Sequence, residues 1–129
     1  MEDCKGLISA ASDKWCRMVR DRNAAGLASL YTEDCQLYVP GLEPVIGRAA
    51  FEKFAEGFIA SGIKNATIVT NELDESANNV AVGGTFWEKG SYTFYKEDGT
   101  VMEAGRHVII WKLVSPGNLQ YFIDISNKV

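Results

Sequence analysis

Gly105-Arg106-His107-Val108-Ile109-Ile110-Trp111-Lys112-Leu113-Val114, the turn Ser115-Pro116-Gly117-Asn118, and Leu119-Gln120-Tyr121-Phe122-Ile123-Asp124-Ile125-Ser126-Asn127 close the chain as two β-rich runs. One parity of the first run carries His107, Ile109, Trp111 and Leu113; the other carries Val108, Ile110, Lys112 and Val114. A strand with one wet face alternates apolar and polar residues, so this strand is expected to be covered on both sides. Taking Ser115 to Asn118 as a four-residue loop sets Val114 opposite Leu119, Trp111 opposite Phe122, Ile109 opposite Asp124 and His107 opposite Ser126. His107 and Asp124 then become diagonal neighbours on one face, roughly 5.5 to 8 Å apart at the backbone. A one-residue change in the loop would turn the partner strand over and dissolve that pair.

Upstream, Ser91 to Lys96 and Val101 to Val114 flank Glu97-Asp98-Gly99-Thr100, whose Asp-Gly step is a strong hairpin signal. Val80 to Lys89 reads as a separate strand bent at Gly83-Gly84, and Ala66 to Leu73 as another, ended by the polar turn Asp74 to Asn79. The first half is helical. Leu7, Ile8, Ala11, Trp15, Met18 and Val19 form one apolar stripe of a helix from about Leu7 to Arg22. Asn23 suits the N-cap of a short second helix burying Leu27, Leu30 and Tyr31. A third helix starts near Arg48, buries Phe51, Phe54, Ala55, Phe58 and Ile59, and stops at Gly62. Between them Gln36 to Val39 is a short strand ended by Pro40-Gly41, and Pro44 keeps the next connection extended. No repeat or low-complexity linker interrupts this order. Residues 1–129 are therefore expected to form a single α+β domain, with three helices on one face of a strongly curved antiparallel sheet. The other face is expected to pack on a second copy of the chain, giving a homodimer.

Composition removes several functional classes. With 129 residues, 47% of them hydrophobic and 11% aromatic, the chain can bury one sizeable core, which excludes intrinsic disorder. Thirteen Lys+Arg against seventeen Asp+Glu leave a net charge of −4 and no counterion-release reason to bind nucleic acid. The longest unbroken apolar stretch, Val108 to Trp111, is far too short to span a bilayer. Met1 to Gly6 is acidic where a secretory signal would be basic, so a cytoplasmic location is expected. Cys4, Cys16 and Cys35 form no Cys-x-x-Cys and read as free thiols. A single histidine cannot build a His-rich metal site, and no phosphate loop, Gly-x-Gly-x-x-Gly or Gly-x-Ser-x-Gly is present. No metal, cofactor or nucleophilic catalysis is expected.

Leu30-Tyr31-Thr32-Glu33-Asp34-Cys35, the Pro40-Gly41 turn, Ile46-Gly47-Arg48, the phenylalanine-rich helix and the closing strands are similar, over nearly the whole chain, to the SnoaL-like and ketosteroid-isomerase-like superfamily with its nuclear-transport-factor-like cone. The resemblance implies a curved sheet closing over helices around an apolar pocket, usually in dimers. It implies no single chemistry, because that pocket serves isomerases, dehydratases, cyclases and modules that only bind or assemble. The steroid-isomerase residues are absent: the family's tyrosine donor falls on Trp15, its general-base aspartate on Val39 and its protonated aspartate on Ile109. Val39 and Ile109 can neither take nor give a proton, which rules that activity out.

The remaining candidates on the pocket face are His107 and Asp124 as an acid–base pair, the carboxylate orienting the ring. Trp15, Tyr38, Trp111, Phe122 and Ser126 are expected to line a site for a small, largely apolar molecule. Phe51, Phe54 and Phe58 read as core, and Tyr31 as a packing residue with its hydroxyl at the rim. Two functions follow. One is small-molecule binding, with acid–base chemistry of the lyase, isomerase or hydrolase kind. The other is a non-catalytic dimerisation module, similar in fold to the association domain of calcium/calmodulin-dependent kinases. An open cavity with converging polar atoms favours the first, and a filled cone favours the second.

Overall fold

A computed structural model describes all 129 residues. The first helix, α1 (Lys5–Arg20), is followed by α2 (Ala24–Ala28), β1 (Tyr31–Tyr38), β2 (Val45–Ile46) and α3 (Arg48–Ala60). Then come β3 (Ile63–Leu73), a 3-10 turn (Glu75–Asn78), β4 (Thr85–Lys96), β5 (Val101–Ser115) and β6 (Asn118–Lys128). The six strands form one curved, unclosed sheet in the order β2-β1-β6-β5-β4-β3. Every neighbouring pair is antiparallel, as expected, except β1 and β6, which run parallel.

Helix positions follow from the apolar spacing. Ile8, Trp15 and Val19 are the buried residues of α1, and Phe51, Ala55 and Ile59, four residues apart, are those of α3. Asn23 caps α2 by accepting the Gly26 backbone N–H at 2.8 Å, as its side-chain chemistry predicts. Ile46-Gly47-Arg48 gains a physical reason: Gly47 has φ +92°, a left-handed conformation that glycine adopts without steric cost, and this swings α3 back over the sheet. Arg48 then donates from Nε and Nη2 to the Tyr31 carbonyl at 2.9 and 2.7 Å, tying the start of α3 to the start of β1.

The sheet also departs from expectation at Tyr31, Gly83-Gly84 and Gly90. Tyr31 does not belong to α2; the Leu30 carbonyl accepts the Tyr121 N–H at 3.0 Å, which draws the chain into the sheet and makes Tyr31 the first residue of β1. Gly83-Gly84 lie in the turn before β4, where Gly84 N–H donates to the Ala81 carbonyl at 2.8 Å. Gly90, expected to separate two strands, instead sits inside the continuous β4. A Cβ at Gly90 would meet His107 Nε2 and the Val69 carbonyl, so glycine is what lets the imidazole lie across the sheet there.

Strands β5 and β6 carry two compensating bulges. His107 pairs with Ser126 and Ile109 with Asp124, as the turn geometry predicts. Nearer the tip, Val114 is the extra residue on β5, and Phe122 is the extra residue on β6. Between the bulges Trp111 pairs with Tyr121, not Phe122, and Leu113 with Leu119, so the expected pairs there are corrected. The bulge lets both Tyr121 and Asp124 point to the helix side. The core packs there, around Val19, Leu27, Ile63, Trp111 and Leu113, all essentially inaccessible. The opposite face leaves Val69 and Ile125 exposed. None of the three cysteines forms a disulfide, and no helix is long and apolar enough to cross a membrane.

Candidate functional site

A cavity of about 370 Å³ opens between the helices and the sheet, and 15 of its 21 lining residues are hydrophobic. Trp15 of α1, Phe54 and Phe58 of α3, and Ile68 and Phe94 of the sheet supply apolar wall. Val39, Pro40 and Leu42, from the connection after β1, also line it. Polar atoms enter from few directions: Tyr31, Tyr92, Glu103, His107, Asp124, Ser126 and Lys128. That mixture, an apolar body with few directional groups, is the usual make-up of a small-molecule site.

The first polar group begins on α1. Trp15 Nε1–H donates to Tyr31 Oη at 3.2 Å, and the Tyr31 hydroxyl donates to Asp124 Oδ2 at 2.8 Å. Tyr31 is held rigidly, stacked against Phe51 with ring centres 3.8 Å apart and against Tyr121 at 4.6 Å. Burial pushes the Asp124 carboxyl above its ordinary value, more strongly than the Tyr31 hydroxyl draws it down. Tyr31 itself is pushed well above the usual tyrosine range, by burial first and by the Asp124 charge next. Asp124 Oδ1 has no protein partner, yet the one enclosed, unpartnered side-chain polar atom in the molecule is Thr32 Oγ1. Asp124 as a residue lines the cavity.

The second polar group lies one strand pair away. Glu88 of β4, only 1% exposed, accepts three hydrogen bonds. Trp111 Nε1–H reaches its Oε1 at 3.0 Å, while Thr70 Oγ1 and His107 Nε2 share Oε2 at 2.8 and 3.3 Å. Burial alone would raise the Glu88 carboxyl, but these donors and the nearby imidazole together hold it below its ordinary value. The imidazole stacks beside the Tyr92 ring, centres 6.5 Å apart. Its Nδ1 has no protein partner and is not enclosed. A third group sits at the rim, where Tyr92 donates to Glu103 Oε2 at 2.7 Å and Lys128 approaches Glu103 Oε1 at 3.6 Å.

His107 and Asp124 thus both line the cavity, as expected, and share no direct hydrogen bond: the imidazole is bonded to Glu88 and the carboxylate to Tyr31. Trp15 and Ser126 line the cavity. Tyr38, Trp111 and Phe122 do not. Strand alternation puts Leu37 inward and Tyr38 outward, where its hydroxyl bonds Gln36 Oε1 at 2.6 Å. Trp111 lies wholly inside the core and turns its indole to Glu88. Phe122 is the bulged residue, with the Lys112 ammonium 5.6 Å from its ring centre.

Sequence reasoning missed Tyr31 and Glu88. Glu88 was legible in principle, since Phe86, Glu88, Gly90 and Tyr92 share one parity of a strand read straight through Gly90. A carboxylate on the parity of Phe86 and Tyr92 has to be buried and partnered. Tyr31 gave no such signal, because it stands at the junction of helix and strand.

Solved structures share this architecture. ActVI-ORFA from Streptomyces coelicolor superposes with a TM-score of 0.76 at 16% identity over 95% of each chain. A ketosteroid isomerase-like protein from Erwinia carotovora atroseptica does so with a TM-score of 0.74 at 14% identity, over 100% of this chain and 98% of that one. A putative calcium/calmodulin dependent protein kinase II association domain from Xanthomonas campestris gives 0.69 at 17% identity, over 95% and 85%. At such identities the likeness is one of fold. No curated protein matches by sequence. Residues 13–114, most of the chain, match the SnoaL-like domain, and the protein belongs to that family.

Proposed function

We propose that the protein binds a small, flat, largely apolar molecule in the cavity and that Asp124 and His107 handle a proton on it. The observation that carries this reading is the state of Asp124 in the wall of an apolar cavity: one oxygen is fixed by Tyr31, the other has no protein partner, and burial pushes the carboxyl above its ordinary value. A carboxylate so placed takes a proton more readily than one in water, as a general base requires. His107 acts as a second, separate proton station with Glu88 behind it. Reactions within reach are proton abstractions and transfers of the isomerase, lyase or hydrolase kind. The absence of proton-handling side chains at Val39 and Ile109 argues against a steroid-type isomerisation.

Trp15 supplies the test, because it is the one tryptophan that lines the cavity. Titrating with 2-naphthol, a flat apolar probe with one hydroxyl, should quench tryptophan emission saturably, and Trp15→Phe should lose most of that response. Saturable quenching that survives Trp15→Phe unchanged would place the ligand elsewhere, and none at all would remove the reading. An assembly module has no need of an open, polar-tipped cavity of this kind.

The exposed Val69 and Ile125 on the helix-free face support a homodimer through that face. Light scattering should return twice the 14.2 kDa mass of the chain, and a dilute monomer would end this idea.

A further inference from the structure

We infer that Glu88 is a positioning residue: it locks His107, which lines the cavity, in the Nε2–H tautomer, so that Nδ1 is left as a hydrogen-bond acceptor and favours ligands that bring a donor hydroxyl. The ligand preference rests on the cavity being a binding site; the tautomer does not.

Donors and acceptors fix the tautomer. An ionised carboxylate only accepts. Trp111 Nε1 only donates, and it fills Oε1. At Oε2 the Thr70 hydroxyl and His107 Nε2 converge, so Nε2 has to carry the proton. In the neutral ring Nδ1 is then the bare nitrogen, and it is the one without a protein partner. The holding groups stand on β3, β4 and β5, rigid neighbours in one sheet, and not on loops. Gly90 clears the space in which the ring lies, and the stacked Tyr92 limits its swing.

Glu88→Gln makes a sharp test because the network dictates how the amide will sit. Trp111 cannot accept, so the amide oxygen must face it, which turns the NH₂ toward Thr70 and His107. Both can become acceptors, and His107 does so by moving its proton to Nδ1. The chain contains one histidine, so nitrogen-15 spectra of the neutral ring give one unambiguous pair of signals. Nε2 should be the protonated nitrogen in the wild type and Nδ1 in Glu88→Gln. In parallel, the wild type should bind 2-naphthol about tenfold more tightly than 2-methoxynaphthalene, the difference made by one hydrogen bond, and Glu88→Gln should bring the two near parity. A wild-type proton on Nδ1, or an unchanged tautomer in Glu88→Gln, overturns the assignment. A wild-type proton on Nδ1 overturns it even if the variant fails to fold. Failure of both probes to bind overturns the ligand preference together with the binding reading, while the tautomer change between wild type and Glu88→Gln tests the role of Glu88 independently.

Discussion

Glu88→Ala should lower the stability of the protein by about 3–5 kcal/mol, the size expected when one partner of a buried charged network is removed. The cost is not chiefly that of the lost carboxylate. Truncation strands the Trp111 indole N–H inside the core, where no water reaches it, and leaves Thr70 and His107 without their shared acceptor. It also opens a void beneath the cavity floor. Glu88→Gln should cost far less, because the amide can satisfy all three partners by the rearrangement described above. Urea denaturation of the three proteins gives the comparison directly. A loss below about 1 kcal/mol in Glu88→Ala would show that the network contributes little to stability.

Asp124→Asn should stabilise the folded chain increasingly as the pH rises and, on the proposed reading, should slow proton transfer sharply. The sign follows from linkage. The folded carboxyl is raised above its ordinary value of 3.8, so between the unfolded and folded values the native state holds more protons than the unfolded one. The Asp124 contribution to wild-type stability therefore falls as pH climbs from about 3.8 through the raised folded value, and then levels off. Asparagine has no such titration. The difference between variant and wild type should be smallest near pH 3 and largest above the folded value, each unit of the raised pKa being worth about 1.4 kcal/mol. Glu88 works in the opposite sense: its carboxyl is lowered, so its contribution is present above its ordinary value of 4.5 and is lost as pH falls through the folded one. Under the proposed acid–base reading, loss of this carboxylate should slow turnover by a factor on the order of 10²–10⁴. Naphthol binding should persist, since the apolar wall is untouched. An Asp124→Asn protein whose stability tracked the wild type in parallel from pH 3 to pH 8 would show that the carboxyl is not raised.

The fold was largely legible in the residues, and the reasons are local. The stripes of α1 and α3, the Asn23 cap and the Asp98-Gly99 hairpin are each written within a few neighbouring positions. The cone and the family were readable from phrases such as Ile46-Gly47-Arg48. The site was legible only in part. His107 and Asp124 stand on the same face as expected, with Ile109 opposite Asp124 and Ser126 opposite His107. Their true partners are not neighbours along the chain: Glu88 lies 19 residues from His107, and Tyr31 lies 93 residues from Asp124. Which carboxylate meets which donor is decided by the parallel pairing of β1 with β6 and by an uninterrupted β4. Neither has a short-range signature. The glycine at position 90, misread as a break, is a consequence of the ring that crosses it.

The bulges at Val114 and Phe122 carry a last consequence. Each shifts the β5–β6 register by one residue, and in opposite directions, so the hairpin tip and the site stay in phase while the segment between them is offset. Losing a residue from one strand alone would rotate either the Asp124 end or the tip end to the wrong side of the sheet. Viable length changes in this hairpin should therefore come in matched pairs, one per strand. Descendants of this chain would inherit both kinks or neither.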